Sequence, residues 1–369
     1  MNKRTCAGLL LIATLLYAAE PPIAAVPERL DRENLLEYRA DDGTVVPVRS
    51  IDDWKKRRAE ILRGFEEVAG PLPGAGKRVP LDLRIEEEAD FKTYVRRRIT
   101  YTAEPGSRVP AHLYVPKEYL SSDSTRRARA VLCLMGTGGY RHRDGVGDNL
   151  SPNTHDGEAL AERGFVAIAP AAIFLGMGQR SGLSIPYHPD LEQLGYASGT
   201  MKTVWDNRRA LDVLDSLPFV EKSGYGAIGH SYGGHNSIFV AVFDERIKAV
   251  VSSCGFDSFL DYRPDRWSTG RGWGQPIYMP RISSYPRDRI PFDFHELVGA
   301  LAPRPVLINA PVHDANFSWQ SVAKIVGSAS RVYQLYGVPG LLRVEHPDVG
   351  HAFPTDLRET AYAWFEAYL

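Results

Sequence analysis

The sequence GHSYG at 229–233 places a serine between two glycines at the spacing G-x-S-x-G. This spacing is typical of a nucleophilic serine on a sharp turn between a strand and a helix, where a strained backbone requires small neighbours. The flanking residues agree, because 224–228 have the pattern of a short strand and 234–243 that of an apolar helix. The motif therefore predicts that the Ser231 hydroxyl projects from the edge of a sheet, with the amide of Tyr232 facing an oxyanion.

A serine hydroxyl needs a general base, and the base needs a carboxylate to orient it. Where the serine lies on such a turn, the chain order is serine, acid, histidine. His351 follows the last strand-like run and is the predicted base, with His346 at the end of that run as the alternative. Asp314 follows the strand-like run at 305–310 and is the predicted acid, because its loop should lie beside that of His351. Asp257, after the preceding strand-like run, is the alternative acid.

A tetrahedral oxyanion needs a second backbone donor besides the Tyr232 amide. The run MGTGG at 135–139 follows an apolar strand-like run at 130–134, and its glycines permit close approach of the backbone. Thr137 is the predicted donor. The run lacks the lysine and the spacing of a phosphate-binding loop. No group of Cys, His and Asp residues has the spacing of a metal site, so the sequence predicts neither a metal nor a cofactor.

The whole chain has the composition of an ordinary globular protein. Its 369 residues are 44% hydrophobic and 24% charged, and its formal net charge is −1 at pH 7. This length and composition favour one large catalytic domain over two independent domains. Basic residues form only short runs and no extended basic stripe, which argues against a nucleic-acid partner. The oligomeric state stays open.

The N-terminus has the pattern of an export signal. Two basic residues precede an uncharged apolar run at 7–19, which ends at Glu20 and two prolines. A run of this length fits a signal peptide and is short for a membrane span. We therefore expect residues 1–25 to be a signal peptide, and the mature protein to be secreted or periplasmic without stable membrane insertion. An uncleaved N-terminal anchor is the alternative.

Beyond the signal, short apolar strands alternate with helices. We expect an N-terminal helical extension at 26–75 and a catalytic domain at 76–369. Short, almost wholly apolar strands between helices predict an α/β fold with a mostly parallel central sheet that is covered by helices on both faces. Cys133 and Cys254 lie in such apolar runs, which favours two buried thiols over a disulfide.

Two long intervals interrupt this alternation, at about 171–198 and 257–299, and both are rich in Gly, Pro, Tyr and Arg. Open α/β sheets bind ligands at the carboxyl ends of their strands, so we expect both intervals to form cap-like insertions over that edge. Aromatic faces suit sugar rings and arginines suit carboxylates, although a purely structural flap could have the same composition. The predicted substrate-binding residues are Trp267, Arg271, Trp273 and Tyr278.

Over about 54–369, the chain resembles exported bacterial α/β-hydrolases of the acetyl xylan esterase and dienelactone hydrolase-like group. The segments that carry the resemblance are YASGTMK at 196–202, GHSYGGHN at 229–236, VSSCGF at 251–256, PFDFHE at 291–296, LAPRP at 301–305 and HDANF at 313–317. The resemblance implies an α/β-hydrolase fold with Ser231, Asp314 and His351 as the triad. Dienelactone hydrolases proper use a cysteine nucleophile, so the serine here departs from that pattern.

The sequence and the resemblance together predict a secreted serine carboxylic-ester hydrolase that acts through an acyl-enzyme. A small-molecule or oligosaccharide ester is the expected substrate, and the resemblance implies acetylated, xylan-type carbohydrates. One alternative is a serine exopeptidase of the prolyl oligopeptidase type, although the sequence contains no N-terminal propeller. Another is an inactive carbohydrate-binding relative, against which the complete set of serine, acid and histidine argues.

Overall fold

The computed structural model describes residues 29–121, 126–136, 156–173, 187–263 and 275–369. The predicted signal peptide and four predicted site residues lie outside these ranges; the four are Thr137, Trp267, Arg271 and Trp273. Each of the two predicted insertions is described in part.

The described residues form strands, helices and short 3₁₀ turns. The strands are β1 (Glu37–Arg39), β2 (Val45–Pro47), β3 (Arg84–Asp90), β4 (Tyr94–Glu104), β5 (Ser107–Pro116), β6 (Ala128–Leu134), β7 (Val166–Pro170), β8 (Val220–His230), β9 (Ile247–Ser253), β10 (Val306–Asn309) and β11 (Leu342–Glu345). The α-helices are α1 (Ile51–Ala69), α2 (Asp156–Glu162), α3 (Gly199–Ser216), α4 (Tyr232–Phe243), α5 (Gln275–Tyr278), α6 (Phe294–Gly299), α7 (Trp319–Leu335) and α8 (Thr355–Tyr368). The 3₁₀ turns are Ala75–Lys77, Lys117–Tyr119, Pro280–Ser284, Arg287–Arg289 and Pro339–Leu341.

The central sheet has nine strands in the order β11-β10-β9-β8-β6-β7-β5-β4-β3. Every pair from β7 to β11 is parallel, whereas β5 pairs antiparallel with β7 and continues into the antiparallel strands β4 and β3. The expected mostly parallel sheet is confirmed, and the fold is that of an α/β-hydrolase. In such a sheet the carboxyl ends of β8, β9, β10 and β11 meet at one edge, where ligands bind.

Helices cover both faces of the sheet, as β6 shows most simply. Ala130, Leu132 and Leu134 belong to one apolar cluster, while Val131 and Cys133 belong to another on the opposite face. Successive side chains of a strand point to opposite faces, so a strand that is buried on both sides is apolar throughout. This double burial explains why the strand-like runs lack polar residues.

The helix α1 joins the N-terminal residues to this core. Ser50 caps it by accepting a hydrogen bond from the amide of Asp53 at 3.1 Å. Its apolar face is buried, and the ring of Phe65 lies 5.0 Å from that of Phe239 on α4 and 4.8 Å from that of Phe292. The contacts are aromatic and wholly buried, which anchors α1 to the helix that follows the serine motif.

A buried ionic cluster connects α3 with the hairpin of β4 and β5. The side chain of Lys202 is fully buried; its ammonium lies 3.1 Å from the Glu104 carboxylate and also binds that of Asp206. The hydroxyl of Ser107 accepts a further hydrogen bond from it at 2.9 Å. Tyr187 donates to Asp206 at 2.8 Å. A charge removed from water in this way requires such partners, so the cluster is sensitive to the loss of any member.

None of the helices in the described ranges has the length and apolarity that crossing a membrane requires.

Candidate active site

The serine of the G-x-S-x-G motif lies between β8 and α4. Ser231 has φ 57° and ψ −119°, a left-handed conformation that is rare for a residue with a side chain. Its amide donates to Ser253 O at 2.8 Å, and its carbonyl accepts from the amide of Gly234 at 2.8 Å. These bonds hold the strained residue in place, and Tyr232 immediately begins the helix α4.

Both glycines of the motif are required by close packing of the backbone. A Cβ on Gly229 would lie 2.3 Å from Gly233 O, and a Cβ on Gly233 would lie 2.0 Å from Leu134 O. No side chain can be accommodated at those distances without moving the backbone. The motif therefore has glycines at these two positions because the start of α4 packs closely against the ends of β8 and β6.

The glycine-rich segment after β6 approaches the serine. A Cβ on Gly136 would lie 3.2 Å from His230 O and 3.9 Å from the Cβ of Ser231. The next residue is the predicted oxyanion donor Thr137, which lies outside the described residues. Tyr232 is the first residue of α4, where amides have no acceptor within the helix. The described geometry therefore leaves the Tyr232 amide available beside Ser231.

The predicted acid and base are hydrogen-bonded to each other. His351 Nδ1 lies 2.9 Å from Oδ2 and 3.0 Å from Oδ1 of Asp314. Their two loops are joined by backbone bonds, including the one from the amide of His313 to Val349 O at 3.1 Å. Burial alone would raise the pKa of the Asp314 carboxyl, but the hydrogen bond from His351, the nearby imidazole and the amide of Asn316 together lower it. Asp314 is thus an anion suited to orient an imidazole.

His351 lies beside the residue that precedes the serine. The rings of His351 and His230 have centroids 4.8 Å apart, and the ring of Phe317 lies 6.1 Å from that of His351. Burial, with a contribution from His351, lowers the pKa of His230 to about 3. His230 is therefore neutral at ordinary pH and adds no charge beside the base. The structure brings His351 and Asp314 to the end of β8, where Ser231 lies.

The alternative residues make other contacts. Asp257 Oδ2 accepts from the amide of Ser318 at 3.0 Å, and burial raises the pKa of its carboxyl to about 8. His346 Nδ1 lies 2.8 Å from Ala310 O, and its ring packs 5.2 Å from that of Trp319. Geometry thus favours Asp314 over Asp257 as the partner of His351, and His351 over His346 as the base.

A cysteine supports this arrangement in a way that the sequence did not predict. Cys254 follows β9 with φ 47°, and its thiol donates to Ala352 O at 3.3 Å. Asn309, at the end of β10, donates to the same carbonyl at 2.9 Å. These bonds hold the segment that carries His351. The only signal in the sequence was that Cys254 and Asn309 lie at the ends of the two strands that follow the serine strand in the chain.

The fold also gathers possible metal ligands that lie far apart in the chain. Donor atoms of His230, Cys254 and His351 all lie within 4.8 Å of one another, close enough for one ion to contact them. The expectation of no metal rested on spacing along the chain, which does not report this grouping, and it stays a prediction.

Aromatic side chains pack around the start of α4. Tyr278, a predicted substrate-binding residue on α5, is 3% exposed, and its ring lies 4.4 Å from that of Tyr232. The Tyr232 hydroxyl lies 3.3 Å from that of Thr203 on α3. Burial lowers the pKa of the nearby His235 to about 4, so this histidine is neutral. Tyr278 thus packs against the helix of the nucleophile, and its contact with substrate stays a prediction.

Comparison with known proteins relates the chain to carbohydrate esterases. A family model described as fungal glucuronyl esterase matches residues 192–337, a range that contains Ser231 and Asp314 and ends before His351. The hydrolase YtaP of Bacillus subtilis (strain 168) is 28% identical over 324 residues, which cover 85% of this chain and 100% of that protein. A 4-O-methyl-glucuronoyl methylesterase of Phanerochaete carnosa is 23% identical over 355 residues, which cover 89% of this chain and 79% of that protein.

Solved structures show the same architecture. A glucuronoyl esterase from Solibacter usitatus superposes with a TM-score of 0.68 at 19% identity, covering 94% of this chain and 99% of that one. At this identity the likeness establishes the α/β-hydrolase fold.

Proposed function

We propose that this protein is a serine carboxylic-ester hydrolase that cleaves carbohydrate esters through an acyl-enzyme. The observation that carries the proposal is the conformation of Ser231, a strained residue between β8 and α4 with φ 57°. Such strain persists only where the surrounding structure holds it, and it clusters at active sites. The hydrogen-bonded pair of His351 and Asp314 at the same edge supplies the base that a serine requires.

The mechanism follows from which nitrogen of His351 is engaged. Nδ1–H donates to Asp314, so Nε2 carries a lone pair that can accept the Ser231 proton. The serine oxygen attacks the ester carbonyl, and the tetrahedral oxyanion accepts hydrogen bonds from the Tyr232 amide and the predicted Thr137 amide. His351 returns its proton to the departing alcohol, leaving an acyl-serine. A water molecule that is deprotonated by His351 then attacks this ester and releases the acid and the free serine.

The relatives suggest the ester. Their names describe methylesterases of 4-O-methyl-glucuronate, in which the sugar is the acyl part of the ester. We therefore propose an esterified uronic acid as the first substrate class. The acetyl xylan esterase-like segments of the sequence favour a second class, in which acetate is the acyl part and the sugar is the alcohol. The triad chemistry is the same for both.

The stretch around 264–274 is proposed to contact the sugar. It contains the predicted residues Trp267, Arg271 and Trp273, and it connects the carboxyl end of β9 to α5, which packs against Tyr232. Binding energy from a part of the substrate remote from the ester raises kcat/KM for large substrates only. Trp273→Ala should therefore lower kcat/KM on a carbohydrate ester much more than on p-nitrophenyl acetate. Equal losses on both, with unchanged thermal stability, would contradict this role.

Export is also part of the proposal. The basic start and the apolar run at 7–19 support cleavage of a signal within 1–25 and a secreted or periplasmic enzyme. N-terminal sequencing of the protein from its native cell should find a start between Glu20 and Glu28. A protein that still begins at Met1 or Asn2 would contradict export by cleavage.

The experiment that tests the activity compares substrates and one variant. The full chain should hydrolyse the methyl or benzyl ester of D-glucuronate, or acetylated xylo-oligosaccharides, whereas Ser231→Ala should lose several powers of ten in kcat. An aminoacyl p-nitroanilide serves as the peptidase substrate. Turnover of the anilide with none of the sugar esters would favour the exopeptidase, and no turnover of any ester would favour an inactive carbohydrate-binding relative.

A further inference from the structure

A cavity lined by arginines lies between α1 and the segment that leads into α6. Its volume is about 220 Å³, whereas a single water needs only about 10–15 Å³ of such space, so a small ligand fits. Five arginines and three glutamates line it, together with Leu30, Gly64 and Pro291. If all eight side chains are ionised, the lining carries two positive charges in excess. The arginines are Arg29, Arg39, Arg57, Arg63 and Arg289.

Two of the three glutamates already form ion pairs with arginines of the lining. Glu296 accepts from Arg29 at 2.5 Å and from Arg57 at 2.9 Å, and both guanidinium groups are more than nine-tenths buried. Glu60 lies 3.1 Å from Arg57 and 3.8 Å from Arg39. The third, Glu67, accepts the Tyr285 hydroxyl at 2.6 Å and forms no ion pair within the described residues. Two of the three carboxylates are therefore paired with arginines, and neither Arg63 nor Arg289 is paired with any of the three.

Several donors of the lining have no acceptor. The side chains of Arg63 and Arg289 make no hydrogen bond or ion pair with any residue of the described ranges. The buried Nε atoms of Arg29 and Arg57 likewise have no partner there. A buried N–H without an acceptor is unfavourable, so an occupant that supplied oxygens would stabilise the site.

We propose that this cavity binds a small oxyanion, either a carboxylate such as that of an acidic sugar or a phosphate. Guanidinium groups match both anions, because their planar N–H forks donate two parallel hydrogen bonds to a pair of oxygens. Arg63 and Arg289 supply the open forks and the unbalanced charge, and Arg57 supplies a buried N–H at the wall. At this wall α1 packs closely against the segment that leads into α6, since a Cβ on Gly64 would lie 2.6 Å from Pro291 O.

The test is binding of sodium phosphate and of sodium D-glucuronate to the full chain by isothermal titration calorimetry, at an ionic strength held constant with sodium chloride. We expect saturable binding of at least one anion. Arg63→Gln and Arg289→Gln should each weaken it about tenfold or more, because each removes a charge-assisted hydrogen-bonded contact. Both side chains are exposed, so the variants should fold and hydrolyse p-nitrophenyl acetate at the wild-type rate.

Arg127→Gln is the matched control, because Arg127 is also exposed and lies outside the cavity lining. Its affinity for the anion should equal that of the wild type. Binding of phosphate without binding of glucuronate would identify a phosphate site, and binding of glucuronate alone would identify a carboxylate site. Either result supports an oxyanion site. No saturable binding of either anion, or equal weakening by all three variants, would overturn the proposal.

Discussion

Replacing Asp257 by Asn should leave hydrolysis nearly intact and change how stability depends on pH. Asp257 is 3% exposed, one of its oxygens accepts from the Ser318 amide, and the other has no partner among the described residues. Burial raises the pKa of this carboxyl to about 8. It is therefore protonated in the folded protein at neutral pH, whereas in the unfolded chain its ordinary pKa makes it ionised.

The sign and size of the effect follow from proton linkage. Between the unfolded and folded pKa values, the folded state holds one proton more than the unfolded state, so wild-type stability falls as pH rises. The slope is at most about 1.4 kcal/mol per pH unit, which amounts to about 3 kcal/mol between pH 5 and pH 7.5. Asparagine has the shape of the protonated acid and does not titrate. The stability of Asp257→Asn relative to wild type should therefore increase by about that amount over this interval.

The assay is urea denaturation of both proteins at a series of pH values, which gives the difference in unfolding free energy. His230 and His235 contribute with the opposite sign, since burial lowers their pKa values and their stabilisation is lost as pH falls. These residues are the same in both proteins, so the difference isolates Asp257. If the unfolding free energies of the two proteins changed with pH in parallel, Asp257 would be ionised in the folded state and the reasoning would be refuted.

The kinetics of the two aspartates provide the companion measurement. Asp257→Asn should keep kcat within about threefold of wild type, whereas Asp314→Asn should lose on the order of 10³ or more, because the imidazole would no longer be held in the required tautomer. An inactive Asp257→Asn beside an active Asp314→Asn would reverse the assignment of the acid.

Three further predictions concern packing around the site. Gly233→Ala should abolish soluble folded protein or catalysis, since its Cβ would lie 2.0 Å from Leu134 O, and soluble yield with circular dichroism checks this. Cys254→Ala should lower kcat about tenfold with little change in KM, because the thiol holds the segment that carries His351 through Ala352 O; an unchanged kcat would show that this hydrogen bond is not needed to position His351. Lys202→Met should reduce the unfolding free energy by about 3–5 kcal/mol, as it leaves the buried Asp206 carboxylate without a cation while Glu104 keeps Lys77, and a loss below about 1 kcal/mol would contradict this.

The sequence predicted the fold, and it also pointed to a candidate triad, because both leave local signatures. Short apolar strands alternating with helices follow from burial of β6 to β10 on both faces. Gly229 is required by a contact inside the serine motif, with Gly233, whereas Gly233 is required by its contact with Leu134 on β6. The order of serine, acid and histidine follows from the order of the strands. The hydrogen bond between Asp314 and His351 favours Asp314 over Asp257 as the acid, and the assignment stays a prediction.

Other features could not be predicted because they join residues that are distant in the chain. Cys254 contacts the His351 segment, at Ala352, from 98 positions earlier in the sequence, and Asn309 contacts the same residue from 43 positions earlier. The arginine cavity likewise combines α1 with residues near Pro291. β8 begins at Val220 and is longer than the predicted strand at 224–228, since Val220 still pairs with Ala128 across an irregularity in register.

The most direct test of the central claim is trapping of the acyl-enzyme. The full chain is mixed with a reactive p-nitrophenyl ester or an organophosphonate, and the adduct is located by intact mass and peptide mass spectrometry. We predict one adduct per chain, on Ser231, which forms as the phosphonate inactivates the enzyme or during the burst of p-nitrophenol release from the ester. The adduct should be absent in Ser231→Ala and should form much more slowly in His351→Ala. An active enzyme whose adduct lies on another residue, or that retains its turnover as Ser231→Ala, would contradict the account.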